Sequence, residues 1–401
     1  MIPRCRCRCG AGIAALLIAT SIAPAPAADD APSSRAVVDA LRPFVERHAL
    51  AGAVTLVADK DRVLALDAVG FADVDAGRPM RPDSLFWIAS QSKPITAAAM
   101  MMLVDEGKVR LDAPVADYLS EFRDVWTAAE RDDAHILLRR PSRPVTVRDL
   151  LSHTSGLPFR SAIEVPTLDG LSLRDAARGY AMTPLQSEPG TKYAYSNAGI
   201  NTAGRIVEVV SGIPFEEFLD KRLFGPLGMK DTTFWPDDKQ LAWLARSYKP
   251  NAKGDGLEAT TVGQLRYPLT DRRRHPMPAG GLFSTAEDVG RFCRMMLNGG
   301  ALDGRRYLSE SSVAEMTRKQ TPASIQDGYG LGFSVGPGRF GHGGAYATDM
   351  TVDTRRGLIT VFLVQHAGFP GDGKESLGAF RKAAEAEFAR PKGEGEIRHR
   401  R

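Results

Sequence analysis

The sequence lacks the features that would hold it in a membrane or brace it with disulfides. Three of its four cysteines (Cys5, Cys7 and Cys9) precede an N-terminal apolar run, and only Cys293 follows that run. One remaining cysteine cannot form an internal disulfide. No later segment is apolar over the length that a bilayer requires. We therefore expect a globular protein without a membrane span.

Strong charge of one sign is also missing. The 401 residues have a formal net charge of +4, and 25% of them are charged. Removing the first 28 residues, which include three arginines and no acidic residue, lowers the formal charge to about +1. Such a chain has no basic field to attract nucleic acid. Its composition is that of an ordinary globular protein with a large core.

Residues 1–28 have the pattern of a secretory signal peptide. The three arginines precede an apolar stretch over residues 11–23, and an A-P-A sequence then provides a cleavage site near Ala27 and Ala28. The apolar stretch is too short to be a spanning helix. We predict that the chain is exported and that the mature protein is periplasmic or secreted.

Strand patterns occur at both ends of the remaining chain, and residues 112–320 show mainly helical spacing. This order predicts an α+β fold in which one antiparallel sheet, built from both chain ends and flanked by helices, receives a large helical insertion. Helices are predicted over 34–50 and 375–389, and strands over 53–58, 63–69, 331–335, 339–341, 348–353 and 358–365. The predicted divisions are one domain over 29–390, with a sheet region at about 34–111 and 325–390 and a helical region at about 112–324, and a disordered tail over 391–401.

Arg272, Arg273 and Arg274 form a run of positive charge in an irregular part of the insertion. Such a run usually marks a solvated face, which is our interpretation here. The alternative is that it folds over a cleft and supplies a cation.

Ser90 and Lys93 lie at the start of a predicted helix that ends near Gly107. Because residues three apart share a helix face, the two side chains can meet. A lysine that burial keeps neutral can remove the proton of a serine hydroxyl. The N–H groups of the helix start would also favour a developing oxyanion. The alternative is a serine N-cap followed by a solvated lysine.

Tyr195 and Asn197 follow a Pro-Gly loop at the start of another predicted helix. A phenol near a lysine can carry protons to and from a serine, and an amide can bind a substrate's carbonyl or amide. The alternative is a tyrosine packed on the core and an asparagine helix cap. His342 lies in a glycine-rich turn into a strand, where a lone histidine is more often structural than catalytic.

S-x-x-K at Ser90, Y-x-N at Tyr195 and H-x-G at His342, in this order, resemble the motifs of the serine β-lactamase and penicillin-recognising family. The first two patterns each occur once in the chain. The stretches TVRDLLSHTSGLP (146–158), LFGPLGM (223–229) and AGGLFSTAED (279–288) are similar to this family as well. The resemblance is nearest to the class C β-lactamases, related carboxylesterases, D-aminopeptidases and DD-peptidases. It implies a β-lactamase/transpeptidase-like fold.

The resemblance also implies roles for these residues, with no metal and no cofactor. Ser90 is the acylated nucleophile, Lys93 its activator and Tyr195 the proton relay, and the oxyanion hole is formed by the N–H groups of Ser90 and Ala345. The implied substrate-binding residues are Asn197, His342, Gly343, Gly344 and Ala345. The chain departs from class A enzymes, which carry S-D-N in place of Tyr-Ser-Asn. It departs from class C enzymes, which carry K-T-G in place of His-Gly-Gly, by losing a fixed cation and a hydroxyl.

These features predict a secreted serine hydrolase that acts on a small-molecule ester or amide, and we favour a carboxylesterase. The alternatives are a D-amino-acid-specific peptidase or DD-carboxypeptidase, and a β-lactamase. A non-catalytic protein that binds peptidoglycan fragments is a further alternative from another class. It is the weakest of these, because the full set of Ser90, Lys93 and Tyr195 is present.

Overall fold

The computed structural model describes residues 32–325 and 328–389, so the predicted signal peptide and tail lie outside the described residues. The helices are α1 (Arg35–Glu46), α2 (Ser92–Asp105), α3 (Val147–Leu151), α4 (Leu173–Met182), α5 (Asn197–Ser211), α6 (Phe215–Leu219), α7 (Gly225–Leu227), α8 (Asp238–Trp243), α9 (Ala286–Leu297), α10 (Glu310–Thr317) and α11 (Ser376–Phe388). The strands are β1 (Gly52–Ala58), β2 (Val63–Asp73), β3 (Arg78–Pro79), β4 (Phe86–Trp87), β5 (Thr127–Arg131), β6 (Ile136–Arg139), β7 (Ser247–Pro250), β8 (Leu257–Thr260), β9 (Phe283–Ser284), β10 (Ala301–Leu302), β11 (Arg305–Arg306), β12 (Gly328–Tyr329), β13 (Ser334–Gly336), β14 (Arg339–Gly343), β15 (Asp349–Asp353) and β16 (Leu358–Leu363). None of the helices in these two ranges is long and apolar enough to cross a membrane.

One eight-stranded antiparallel sheet joins the two ends of the chain, in the order β12-β13-β14-β15-β16-β1-β2-β3. At its centre β1 pairs with β16, with Val54 opposite Leu363 and Ala58 opposite Ile359. Every residue of both strands is buried because helices cover both faces. One face packs on α1 and α11, and the other packs on α9. The predicted α+β fold, with a sheet built from both chain ends, is confirmed.

Helix α2 runs through the centre of the helical part and carries the S-x-x-K motif at its start. Its residues from Ser92 to Leu103 are all buried, because a run of small alanines and flexible methionines lets α5 pack closely against it. The helix ends just before Gly107, which has φ +71°, as the sequence predicts for a glycine after a helix. This burial makes the position of the motif depend on core packing.

One expectation about local structure is wrong, and some strand pairing inside the mainly helical insertion was not predicted. The strand predicted over 331–335 is two short strands, β12 and β13, on either side of residues 330–333. The helical insertion also contains the hairpins β5–β6 and β7–β8. The first hairpin escaped prediction because β5 reads Thr-Ala-Ala-Glu-Arg, which is poor in β-branched and aromatic residues.

The arginine run is not one solvated face. Arg273 is exposed and pairs with Asp271, and the guanidinium of Arg272 lies over the Trp235 ring. Arg274 is buried with Asp169, so it neither faces solvent nor reaches the cleft. The three arginines have different surroundings because an irregular loop turns successive side chains in different directions.

Candidate active site

Ser90 lies in a single 3₁₀ turn, Ala89–Gln91, immediately before α2. Ala89 has φ +47°, which is unusual for a residue other than glycine and turns the chain sharply into Ser90. A Cβ on Gly344 would lie 2.1 Å from Thr348 Oγ1 and 2.7 Å from the Ile88 carbonyl oxygen. The third motif therefore requires a glycine here, because its backbone passes directly beside the turn that holds Ser90.

Lys93 is buried beside Ser90, with its Nζ 3.0 Å from Ser90 Oγ and 2.7 Å from the carbonyl oxygen of Ala279. Within the described ranges no carboxylate forms an ion pair with it. Burial without a compensating negative charge lowers the pKa of Lys93 well below its usual value. A neutral amine can donate to Ala279 and accept the Ser90 proton, so this arrangement suits a general base.

Tyr195 lies beside both Ser90 and Lys93: the Lys93 Nζ is 4.6 Å from the centre of its ring, and its hydroxyl is hydrogen-bonded with Ser90. Burial raises the pKa of the Tyr195 phenol, and a hydrogen bond with Ser90 only partly opposes this. The phenol therefore stays protonated at neutral pH, and it can pass a proton but is poorly suited to take the first one.

Asn197 is the first residue of α5 and lines the same cavity as Ser90. Its Oδ1 is buried and has no hydrogen-bond partner among the described residues. An unpaired buried acceptor costs free energy, so this oxygen is suited to receive an N–H or O–H group of a ligand.

The third motif is divided between two cavities. Gly343, Gly344 and Ala345 line the Ser90 cavity, whereas His342 lines a neighbouring cavity and reaches the first only through Gly343. Its Nδ1 is 2.6 Å from the Gly343 carbonyl oxygen, so Nδ1–H donates there and Nε2 accepts from the Tyr329 hydroxyl at 3.0 Å. Burial, followed by the charge of Lys93, lowers the pKa of His342 to about 3. His342 is thus a neutral support of the Gly343 backbone.

Sequence reasoning missed His153 and Tyr329, which support this arrangement. His153 is buried with φ +60°, and its ring centre lies 4.5 Å from that of Tyr195 and 4.6 Å from that of Tyr329. Its Nδ1 accepts the Ser196 N–H at 3.2 Å. The stretch around His153 carried a signal, as part of the family resemblance, but nothing in the sequence pointed to Tyr329.

A chain of buried hydrogen bonds leads away from Lys93. Asn201 Oδ1 accepts the Ala279 N–H at 2.9 Å, and its Nδ2 donates to the Tyr180 hydroxyl at 3.0 Å. The Tyr180 hydroxyl donates in turn to the buried Glu164 carboxylate. Since the Ala279 carbonyl contacts Lys93, these residues anchor, through its N–H, the residue whose carbonyl orients the amine.

The Ser90 cavity has a volume of about 290 Å³. Apolar side chains form much of its wall, and Asn197 and Gln264 add uncharged polar groups. No charged side chain is found among the described residues that line it. The cavity therefore favours an uncharged, partly apolar ligand.

The site has a serine that is hydrogen-bonded to a buried lysine, and it lies beside an antiparallel sheet with helices on both faces. Together these features define a serine hydrolase of the β-lactamase type. The chain belongs to the Beta-lactamase family, whose model matches residues 37–384. It is 31% identical over 396 residues to Esterase EstB of Burkholderia gladioli, covering 88% of this chain and 95% of EstB. It is 33% identical over 319 residues to Penicillin-binding protein 4 of Amycolatopsis lactamdurans, covering 77% of each chain. The solved structure of EstCE1, described as a hydrolase with promiscuous acyltransferase activity, has the same fold, with a TM-score of 0.74, 24% identity and coverage of 87% and 97%. The predicted family is confirmed.

Proposed function

We propose that the protein is a carboxylesterase that forms an acyl-enzyme on Ser90. The proposal rests on one observation: Lys93 is buried, pairs with no carboxylate among the described residues, and contacts Ser90 Oγ. Lys93 takes the hydroxyl proton as Ser90 Oγ attacks the ester carbonyl. The N–H groups of Ser90 and Ala345 stabilise the oxyanion, and Asn197 binds the substrate.

The second half of the cycle returns the proton. The tetrahedral intermediate collapses as the C–O bond to the alcohol breaks, and Tyr195 relays the Lys93 proton to the leaving alkoxide. A water molecule then attacks the acyl-enzyme and loses a proton along the same path, which releases the acid and restores Ser90. The raised pKa of Tyr195 and the lowered pKa of Lys93 support the lysine as the first base.

The proposed preference for esters rests on the lack of a cation that could bind a substrate carboxylate. His342 is neutral and held by Tyr329 and Gly343, and the Ser90 cavity has no charged lining side chain in the described ranges. A charged hydrogen bond contributes about 1.5–3 kcal/mol, so its loss lowers discrimination for a carboxylate-bearing substrate by roughly tenfold to a hundredfold. Uncharged esters do not need this contact. The proposed location is the periplasm or the medium, after cleavage near Ala27 and Ala28.

The test is a substrate panel at pH 7 with a short-chain aryl ester, a chromogenic cephalosporin and a D-alanyl-D-alanine peptide. We expect the aryl ester to have the largest kcat/KM. Ser90→Ala should abolish both turnover and labelling by a fluorophosphonate, and the neighbouring Ser92→Ala is the matched control for labelling.

Other results of these experiments would support one of the alternative functions. Faster turnover of the cephalosporin or the peptide would replace the esterase with a β-lactamase or a peptidase. Labelling that persists in Ser90→Ala would move the nucleophile elsewhere. Binding of peptidoglycan fragments by a wild-type protein that never labels would indicate the non-catalytic alternative.

A further inference from the structure

The hairpin β5–β6 exposes an unusual row of large apolar side chains. Ile136, Leu137 and Leu138 follow one another in β6 and are 44%, 58% and 39% exposed, and Trp126 just before β5 is 42% exposed. Leu138 and Trp126 line a surface hollow of about 460 Å³, at whose rim Met182 is 85% exposed. Contiguous exposed apolar surface of this kind marks an interaction site more often than an ordinary surface.

β6 is also a free strand edge. β5 is bonded on one side to β6 and on the other to Leu185, whose N–H donates to Trp126 and whose carbonyl accepts from Ala128. In the part of the chain that the structure describes, no strand pairs with the outer side of β6. Alternate N–H and C=O groups of an edge strand point outward and can pair with another strand.

The charges at the two ends of β6 are opposite. Asp132 and Asp133 lie in the turn before the strand, and Arg139 and Arg140 lie at its other end. An antiparallel pair of two β6 strands centred on Ile136 places each acidic turn against the basic end of the other copy. Arg139 and Arg140 already contact Glu188 and Asp124, but both arginines are about half exposed and can contact further carboxylates.

We propose that β6 is a self-association edge, through which two copies of the protein form an antiparallel, two-fold dimer. A two-fold axis requires one surface to be complementary to itself, and a strand with an apolar middle and oppositely charged ends meets that requirement. The pairing would also bring apolar side chains of the two copies side by side on each face of the paired strands, and it would complete the strand edge.

Sedimentation of the purified protein tests the proposal, and we expect a concentration-dependent dimer. Leu137→Asp should weaken the dimer by at least about tenfold, because it replaces apolar side chains that are diagonal neighbours across the axis with two like charges. Leu137 is exposed, so the variant should keep its fold and its ester turnover. Val209→Asp, at an exposed apolar position on α5, is the matched control and should remain dimeric.

Charge reversal gives the sharpest test of the proposed dimer. Asp132→Arg/Asp133→Arg and Arg139→Asp/Arg140→Asp should each be monomeric alone, and an equimolar mixture should recover the dimer, because each variant then meets its complement. A monomeric wild type, an unchanged Leu137→Asp dimer, or a mixture that stays monomeric would overturn the proposal. A monomer that binds anionic phospholipid vesicles through Leu137 would assign the surface to a membrane and overturn it as well.

Discussion

The Ser90 region and the Arg274 region each bury a basic side chain, but they give it different partners. Arg274 Nε lies 2.7 Å from Asp169 Oδ2, and its guanidinium also donates to the carbonyls of Phe234 and Leu269. The charge is compensated in place. Arg274 therefore fixes the shape of the loop around it and is not available for chemistry.

Lys93 is buried as deeply, but its hydrogen bonds within the described residues go to a hydroxyl and a carbonyl, and its other close neighbour is the Tyr195 ring. Without a carboxylate, burial favours the neutral amine. The partner, and not burial alone, therefore decides whether a buried basic residue holds the fold together or can act as a base.

The largest expected effect comes from removing the amine. Lys93→Met keeps a similar length and should lower kcat/KM for an aryl ester by about 10⁴-fold, while the free energy of unfolding stays equal or rises. Adding Tyr195→Phe should lower the rate little further, because the groups act as a unit. Ester kinetics and urea unfolding check this, with the exposed Lys253→Met as control. A loss of only a few-fold in rate would contradict it.

Arg274→Met should have the opposite effect, lowering stability and leaving ester activity unchanged. It leaves Asp169 buried without its cation, which should lower the free energy of unfolding by about 3–5 kcal/mol, while the folded fraction keeps its ester activity. Urea unfolding provides the measurement, and the exposed Arg273→Met is the control and should unfold as wild type. A stable Arg274→Met protein that has lost turnover would remove the distinction between the two regions.

The pH dependence of stability sharpens the comparison. Because the pKa of Lys93 is lowered in the folded state, the unfolded chain binds more protons between that pKa and the ordinary lysine value of about 10.4. The free energy of unfolding should therefore rise with pH in this interval by up to about 1.4 kcal/mol per unit more in wild type than in Lys93→Met. Parallel curves would show that the lysine is not neutral. The kcat/KM of wild type should fall on the acid side as Lys93 becomes protonated.

The smallest effect concerns the hydrogen bonds behind Lys93. Tyr180→Phe removes the hydroxyl between Asn201 and Glu164, and should lower the free energy of unfolding by about 1–2 kcal/mol and kcat by less than tenfold. Tyr118→Phe, which removes an exposed hydroxyl bond to the Arg110 N–H, is the control. A drop in kcat of a hundredfold would place Tyr180 in the chemistry itself.

Local spacing explains what the sequence could predict. The Ser90–Lys93 separation, the glycine after α2 and the short apolar runs of β1 and β16 each depend on residues close in the chain, so their patterns are visible without a structure. The order of the three motifs then supplied the family and hence the fold.

Contacts between distant segments explain what it could not predict. Arg274 and Asp169 are 105 residues apart, and the contacts of His153 with Tyr195 and Tyr329 join three separate parts of the chain. No local period encodes such pairs. Likewise, the division of the third motif between two cavities follows from how β14 passes Ser90, since neighbouring residues of a strand face opposite sides.

Because β1 pairs with β16, the central sheet of this hydrolase can form only late in the synthesis of the chain. A ribosome completes Ser90 and Lys93 early, but the strand that passes beside the Ser90 turn is made more than 200 residues later. Joining such distant segments is slow, because a long loop must close before the contact forms. A chain cut before β14 would carry the nucleophile and its base, yet have no finished cleft in which to use them.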